Sequence, residues 1–256
     1  MNPRERIEER EYDVLSPRAF HVKEAKRMHA EAKDPLRTDF ARDRDRILHS
    51  NSFRRMKHKT QVYIAPQGDH YRTRMTHTLE VAQIGRTMAR ALSLNEDLVE
   101  AIALGHDLGH TPFGHVGEQA LQEIYGHFEH NEQSVRIAEK LERDGAGLNL
   151  TRPVLDGMLN HCGPLQAHTL EGSLIKYADR IAYLCHDYED AESMGLITAA
   201  DVPEEIRRRI GTTHSSMITA MVTDVVEHSM RDETDGIHMC EEGDRILLDF
   251  RKFMFR

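Results

Sequence analysis

Three observations predict an all-α fold. Apolar residues recur at helical spacing through most of the chain, alternating strand patterns are scarce, and no fixed-period repeat or low-complexity tract occurs. The 256 residues are 39% hydrophobic and 30% charged, a globular composition. A chain of this length buries a sizeable core. We expect an N-terminal helical segment with a basic stretch at 1–60, a core at 61–195 and a short C-terminal helical extension at 196–256. No apolar run approaches the ~20 residues of a spanning helix. The opening MNPRERIEEREYD is charged where a signal peptide is apolar, so a cytoplasmic protein without membrane association is expected. Cys162, Cys185 and Cys240 lack CxxC spacing, which argues against a disulfide framework and a thiolate zinc site; Cys185 reads as core.

The elements follow in order. In MTHTLEVAQIGRTMARAL, His77, Val81, Ile84, Met88 and Ala91 fall on one stripe behind Thr73 or Thr76 as N-cap, so His77 points to the core. NEDLVEAIALGHDLGH begins from Asn95 as N-cap, carries Glu96 and Asp97 where the helix dipole favours carboxylates, and is expected to stop near Gly109. FEHNEQSVRIAEKLER and PVLDGMLNHC read as helices joined by RDGAGLNLT. In LEGSLIKYADRIAYLCHDYEDA, Ile175, Ala178, Asp179, Ala182 and Cys185 or His186 share a face, which sets Asp179 among apolar residues. EEIRRRI, SSMITAMVTDVVEHSM and RILLDFRKFMF read as further helices, with DETDGIHMCEEGD as a loop.

The formal charge of -9 argues against a surface coated for duplex DNA. Its sign reverses between Arg37 and Lys59, where eight Lys/Arg stand against three Asp, and Arg72 and Arg74 follow. Arg42, Arg44 and Arg46 read as a solvated, ion-paired helix face, and the rest of the cluster as a candidate polyanion site.

A carboxylate on an apolar stripe costs several kcal/mol unless compensated, and His106-Asp107 at a helix end is polar in the same way. One shared cation compensates both. Imidazole nitrogen and carboxylate oxygen suit an intermediate divalent ion, one of Mn, Mg, Fe, Ni, Co or Zn. His77, His106, Asp107 and Asp179 as ligands would leave coordination positions open for water and substrate, as catalysis requires.

NSFRRMKHKTQV, RTRMTHTLEVAQIGR, ALGHDLGHTPFGHVGE, FEHNEQS, GLNLT and KYADRIAYLCHD cover most of residues 35 to 190 in one order. In them the chain resembles the HD-domain phosphohydrolases, within these the deoxyguanosine triphosphate triphosphohydrolase branch. That resemblance implies an HD-domain helical bundle with one divalent metal ion between core helices, held by His77, His106, Asp107 and Asp179. It implies hydrolysis of a dNTP to deoxynucleoside and intact triphosphate, with attack at the α-phosphorus and expulsion of the sugar 5′-oxygen. Beside the ligands, His110 is the candidate general acid, because histidine is suited to donating near neutral pH. Other roles are implied by position: His130 at the phosphate region, Glu118 orienting a catalytic histidine, Arg74 on phosphate, Tyr183 and Asp187 as a deoxyribose wall, and Gln61 at the 3′-hydroxyl. Arg55 and Lys57 are further phosphate candidates, and His115 reads as structural. Bland alternatives stand beside these: Glu118 as a solvent-face residue, Tyr183 as core, Asp187 as a helix-end acid. Relatives also imply a homo-oligomer and a nucleotide effector, and they are longer than this chain; the section between His161 and Glu171 looks short.

Two rival functions remain open. One is an HD phosphodiesterase or nuclease acting on cyclic nucleotide or single-stranded nucleic acid, and the other a non-catalytic nucleotide-sensing module. Classic P-loop chemistry is excluded, since no GxxxxGK[ST] occurs.

Overall fold

The computed structural model describes residues 1–61, 72–231 and 236–255. Among them are twelve α-helices and no strand, so the fold is all-α. They are α1 (Pro3–Val14), α2 (Asp39–Leu48), α3 (Asn51–Arg55), α4 (Arg74–Ala91), α5 (Glu96–Gly105), α6 (Gly114–Tyr125), α7 (His130–Arg136), α8 (Arg152–Asn160), α9 (Leu170–Ser193), α10 (Glu204–Ile210), α11 (His214–Arg231) and α12 (Glu241–Met254). The chain divides into two compact units, Met1–Lys176 and Tyr177–Arg256. No described helix is long and apolar enough to cross a membrane.

In the first unit α5 is central, packed by α2, α4 and α8. Its sequence explains the position: Leu98, Val99, Ala101, Ile102 and Ala103 are apolar and all buried. Asn95 caps it by accepting from the Leu98 N–H at 3.3 Å. The helix stops at Gly105, four residues before the expected end, and 106–109 form a turn. The reason is visible at Gly109. A Cβ there would stand 2.3 Å from the Ser134 nitrogen and 2.5 Å from the His130 carbonyl oxygen, so the backbone itself packs on α7.

α4 starts with a capping box in which Thr73 and Thr76 serve each other's N–H groups, deciding the cap for Thr73. His77, Val81, Ile84 and Met88 are buried as the stripe requires, whereas Ala91 at the last turn is exposed. The acidic-basic run of α2 is structural. Arg44 pairs with Asp45 and Glu100, and Arg42 and Arg46 both reach Glu31. Arg27 forms an ion pair with buried Asp43 and joins this network to the Asn149 carbonyl at 2.6 Å.

In the second unit α10 packs against α11 and α12. Asp224 of α11 pairs with Arg209 of α10 and accepts the Cys240 N–H at 2.8 Å. Helix α12 begins inside the stretch read as a loop, because Cys240 accepts the Gly243 N–H at 3.2 Å and three acids occupy the first turn, where the dipole favours them. Residues 232–235 of that stretch lie outside the described residues.

Candidate metal centre

The first unit gathers two histidine-rich ends of one cluster. At the α4–α5 end, His77, His106 and Asp107 are buried and their ligand atoms lie within 4.8 Å of one another. Early termination of α5 produces this: the chain leaves the helix at His106 and turns both side chains inward. The His106 Nδ1 donates to the Ala103 carbonyl at 2.6 Å, since a carbonyl can only accept, so a neutral ring presents its Nε2 lone pair to the site. That lone pair faces Asp107 Oδ1 at 3.5 Å. Two acceptors facing each other across this distance fit a cation between them. Ser134 fixes the turn by accepting the Gly109 N–H at 2.8 Å and donating to the His106 carbonyl at 2.6 Å.

Arg74, the first residue of α4, donates from Nη1 to Asp107 Oδ2 at 2.9 Å and is itself buried. Burial pushes the Asp107 carboxyl up, but the electrostatic field of the neighbouring His106 ring, the Arg74 guanidinium and the His110 and His77 rings outweighs it and holds the group well below the usual carboxylate range. Asp107 is therefore ionised and ready to ligate. Lys59 of the basic cluster donates to the His110 carbonyl at 2.6 Å, and burial with the nearby Arg55 lowers its pKa. Arg55 and Lys57 are exposed, and the Gln61 backbone approaches Gly114.

The α6–α7 end is organised by Glu118. Its Oε1 accepts the backbone N–H of His130 at 2.8 Å and lies 3.0 Å from His130 Nδ1, and its Oε2 lies 3.0 Å from His115 Nδ1. Glu118 is buried, so its reading as a solvent-face residue gives way to one carboxylate orienting two imidazoles. Burial raises its pKa, yet these hydrogen bonds hold it far below the usual range. The His115 side chain is 68% exposed, with its Nδ1 held by Glu118. The cause is the turn before α6, where Phe113 adopts φ 67 and Gly117 lies so close to the Pro112 carbonyl that a Cβ would meet it at 2.1 Å. Sequence periodicity carries no signal for such a turn.

His110 stacks on His130 with ring centroids 4.7 Å apart and stands just after the 106–109 turn rather than on a helix. Burial, joined by the Arg74 charge, pushes its pKa down to about 2, and its Nδ1 has no hydrogen-bond partner among the described residues. His130 behaves oppositely: burial disfavours its charge, but hydrogen bonds to Cys162 and Glu118 push it up to about 10. Its Nε2 stands 3.2 Å from the Nε2 of His161, a residue the sequence reading did not single out.

Asp179, Tyr183 and Asp187 stand at successive turns of α9 in the second unit, Asp187 buried and the other two half-buried. Burial pushes the Tyr183 hydroxyl up to about 12.

The HD domain family model matches residues 74–184. Over 257 residues the chain is 52% identical to a deoxyguanosinetriphosphate triphosphohydrolase-like protein of Caldanaerobacter subterraneus subsp. tengcongensis, covering 100% of this chain and 75% of that one. Similar proteins carrying the same description occur in Desulfatibacillum aliphaticivorans, at 50% identity over 100% of this chain and 76% of the relative, and in Clostridium tetani, at 46% over the same shares.

Proposed function

Because the chain belongs to the HD-domain family of metal-dependent phosphohydrolases, among the deoxyguanosinetriphosphate triphosphohydrolase-like proteins, we propose that it hydrolyses deoxynucleoside triphosphates to deoxynucleoside and inorganic triphosphate. The observation that carries this reading is the buried guanidinium of Arg74 against Asp107. A fixed, permanently charged fork beside a His/His/Asp set is suited to phosphate oxygens, which it can bind bidentately while charge develops. His77, His106 and Asp107 would hold the cation, with Asp179 of α9 assigned as fourth ligand by the family resemblance. Bound there, a divalent ion supplies Lewis acidity toward phosphate and makes water a better nucleophile at neutral pH.

The leaving 5′-oxygen needs a proton. We assign its donation to His115 rather than to His110. Glu118 Oε2 stands on His115 Nδ1, which directs Nε2 outward on an exposed ring, whereas His110 is buried beside Arg74 and its pKa is pushed down. His110 then acts as a neutral wall stacked on His130, and His130, protonated through Glu118, adds positive charge for the phosphates. Tyr183, a hydroxyl that stays neutral, and Asp187 are assigned to the deoxyribose side, with Gln61 at the 3′-hydroxyl. Arg55 and Lys57, both exposed, are assigned to the outer phosphate path, and homo-oligomeric assembly and a nucleotide effector are carried as part of the same proposal.

Product analysis tests the reading. Metal-replete protein given each of the four dNTPs, singly and mixed, is expected to release inorganic triphosphate and deoxynucleoside. Monophosphate release from single-stranded polynucleotide or cyclic nucleotide, without triphosphate release, would establish the phosphodiesterase instead. Tight nucleotide binding with no turnover would leave a sensing module.

A further inference from the structure

Helix ends leave backbone groups without intrahelical partners, and at the two helix ends beside the metal centre one residue, Lys59, serves both. At the start of α4 the N–H of Arg74 donates to the Lys59 carbonyl at 2.9 Å. Past the end of α5 the chain turns through 106–109, so the carbonyls there lie outside the helix. The Lys59 ammonium takes two of the carbonyls that follow: Nζ donates to that of His110 at 2.6 Å and to that of Leu108 at 3.4 Å. A lysine is suited to this place, since a cation near the carbonyl end of a helix also meets the negative end of its dipole. The backbone around Lys59 is held in turn. Its N–H donates to the carbonyl of fully buried Met56 at 3.1 Å, and Thr60 and Thr73 form an antiparallel bridge.

The ends joined in this way carry the guanidinium and the carboxylate of the site. Arg74 Nη1 meets Asp107 Oδ2 at 2.9 Å although the two residues are 33 apart in the chain. One stands on the first turn of α4 and the other just beyond α5, so their distance depends on the spacing of the two ends. A charge is a costly way to make that link. Burial and the Arg55 and Arg74 charges disfavour the half-buried ammonium, while Asp107 favours it. An apolar side chain of the same length would fill the space without this cost, but it would leave two carbonyls without a donor and the two ends untied.

We propose that Lys59 is the positioning residue of the phosphate fork: by tying the start of α4 to the turn after α5, it sets where Arg74 stands relative to Asp107 and to the cation that His77, His106 and Asp107 would hold. It does not itself touch the substrate. Its effect reaches phosphate through Arg74, where a displacement of about 1 Å costs up to about 10²-fold in rate. The inference rests on the reading of Arg74 as a phosphate ligand and not on which phosphoric ester is cleaved.

A double-mutant cycle tests it, with Lys59→Met removing the charge at similar length and Arg74→Gln removing the fork. Two quantities are measured: the affinity of the metal-stripped full chain for inorganic triphosphate, and the turnover of the metal-replete protein. With Arg74 present, Lys59→Met is expected to weaken triphosphate binding at least about tenfold and to lower kcat/KM about 10–100-fold, with wild-type metal content. In the Arg74→Gln background the same substitution is expected to change either quantity by less than about twofold, because its route to phosphate is already cut. Lys59→Arg, which keeps a cationic donor for the two carbonyls, is expected to bring triphosphate affinity back to within about threefold of the wild type. Equal losses in both backgrounds, as direct attraction of phosphate by the ammonium would give, would overturn the proposal. So would wild-type behaviour of Lys59→Met or a failure of arginine to rescue. Should Lys59→Met fold poorly, Lys59→Gln, which keeps an N–H donor without the charge, takes its place under the same criterion. A protein that releases triphosphate from no dNTP would remove the dNTP reading and leave the affinity cycle to decide for Lys59; wild-type protein with no measurable affinity for inorganic triphosphate would overturn the positioning role.

Discussion

At the α4–α5 end of the cluster the charge belongs to a carboxylate: Asp107 is kept ionised by Arg74 and the surrounding imidazoles, and His106 is locked by a carbonyl. Around α6 and α7 it belongs to an imidazole: hydrogen bonds to Cys162 and Glu118 hold a proton on His130, and Glu118 tethers a second ring, His115. The first arrangement offers fixed negative ligands to a cation. The second, on the proposed reading, would offer a proton to a leaving group. Hydrolysis of a phosphoric ester needs both, and the separation lets each be broken alone.

The largest break is at the carboxylate end. Asp107→Ala is expected to lose bound metal and bring turnover to background together, as checked by metal analysis beside a triphosphate-release assay. Full activity in that variant would remove the site. Next comes the proton end. His115→Ala is expected to lower kcat about 10²–10⁴-fold with metal content kept and KM little changed, and His110→Ala to lower it less. The reverse order would return the donor role to His110.

The first end was legible in the sequence because helical periodicity alone sends His77 inward and leaves a His-Asp pair at the end of an apolar helix. The buried face of α9 and the caps of α4 and α5 follow from the same local rules. What escaped depends on atoms far apart in sequence. Gly109 ends α5 by meeting α7, Glu118 reaches from α6 to the start of α7, and His161 meets His130 across 31 residues. The exposure of His115 depends on a left-handed turn at Phe113, a residue type that gives no warning of positive φ.

Smaller effects sharpen the comparison further. Glu118→Gln supports both rings less well and is expected to reduce kcat about 10–100-fold while leaving metal at the first centre. It also changes the pH response of the metal-stripped protein. His130 is raised from 6.5 to about 10, so its pairing stabilises the fold fully below about 6.5 and is lost as pH rises through about 10. Glu118 is depressed, so its share is present above about 4.5 and lost as pH falls below it. Thermal melts of the wild type should therefore decline at both extremes, and Glu118→Gln should flatten both limbs; an unchanged profile would break the pair. The smallest effect belongs to the arginines of α2. Arg44→Ala is expected to cost about 0–1 kcal/mol in denaturant melts and leave kcat unchanged, since its partners are Asp45 and Glu100. A large loss of activity would move that face into the site.

Hydrolysis of dGTP in water carrying heavy oxygen, with phosphorus NMR and mass spectrometry of the products, tests triphosphohydrolysis most directly. Attack at the α-phosphorus predicts intact triphosphate carrying the label and unlabelled deoxyguanosine. Label in the nucleoside, or pyrophosphate and monophosphate in place of triphosphate, would contradict it.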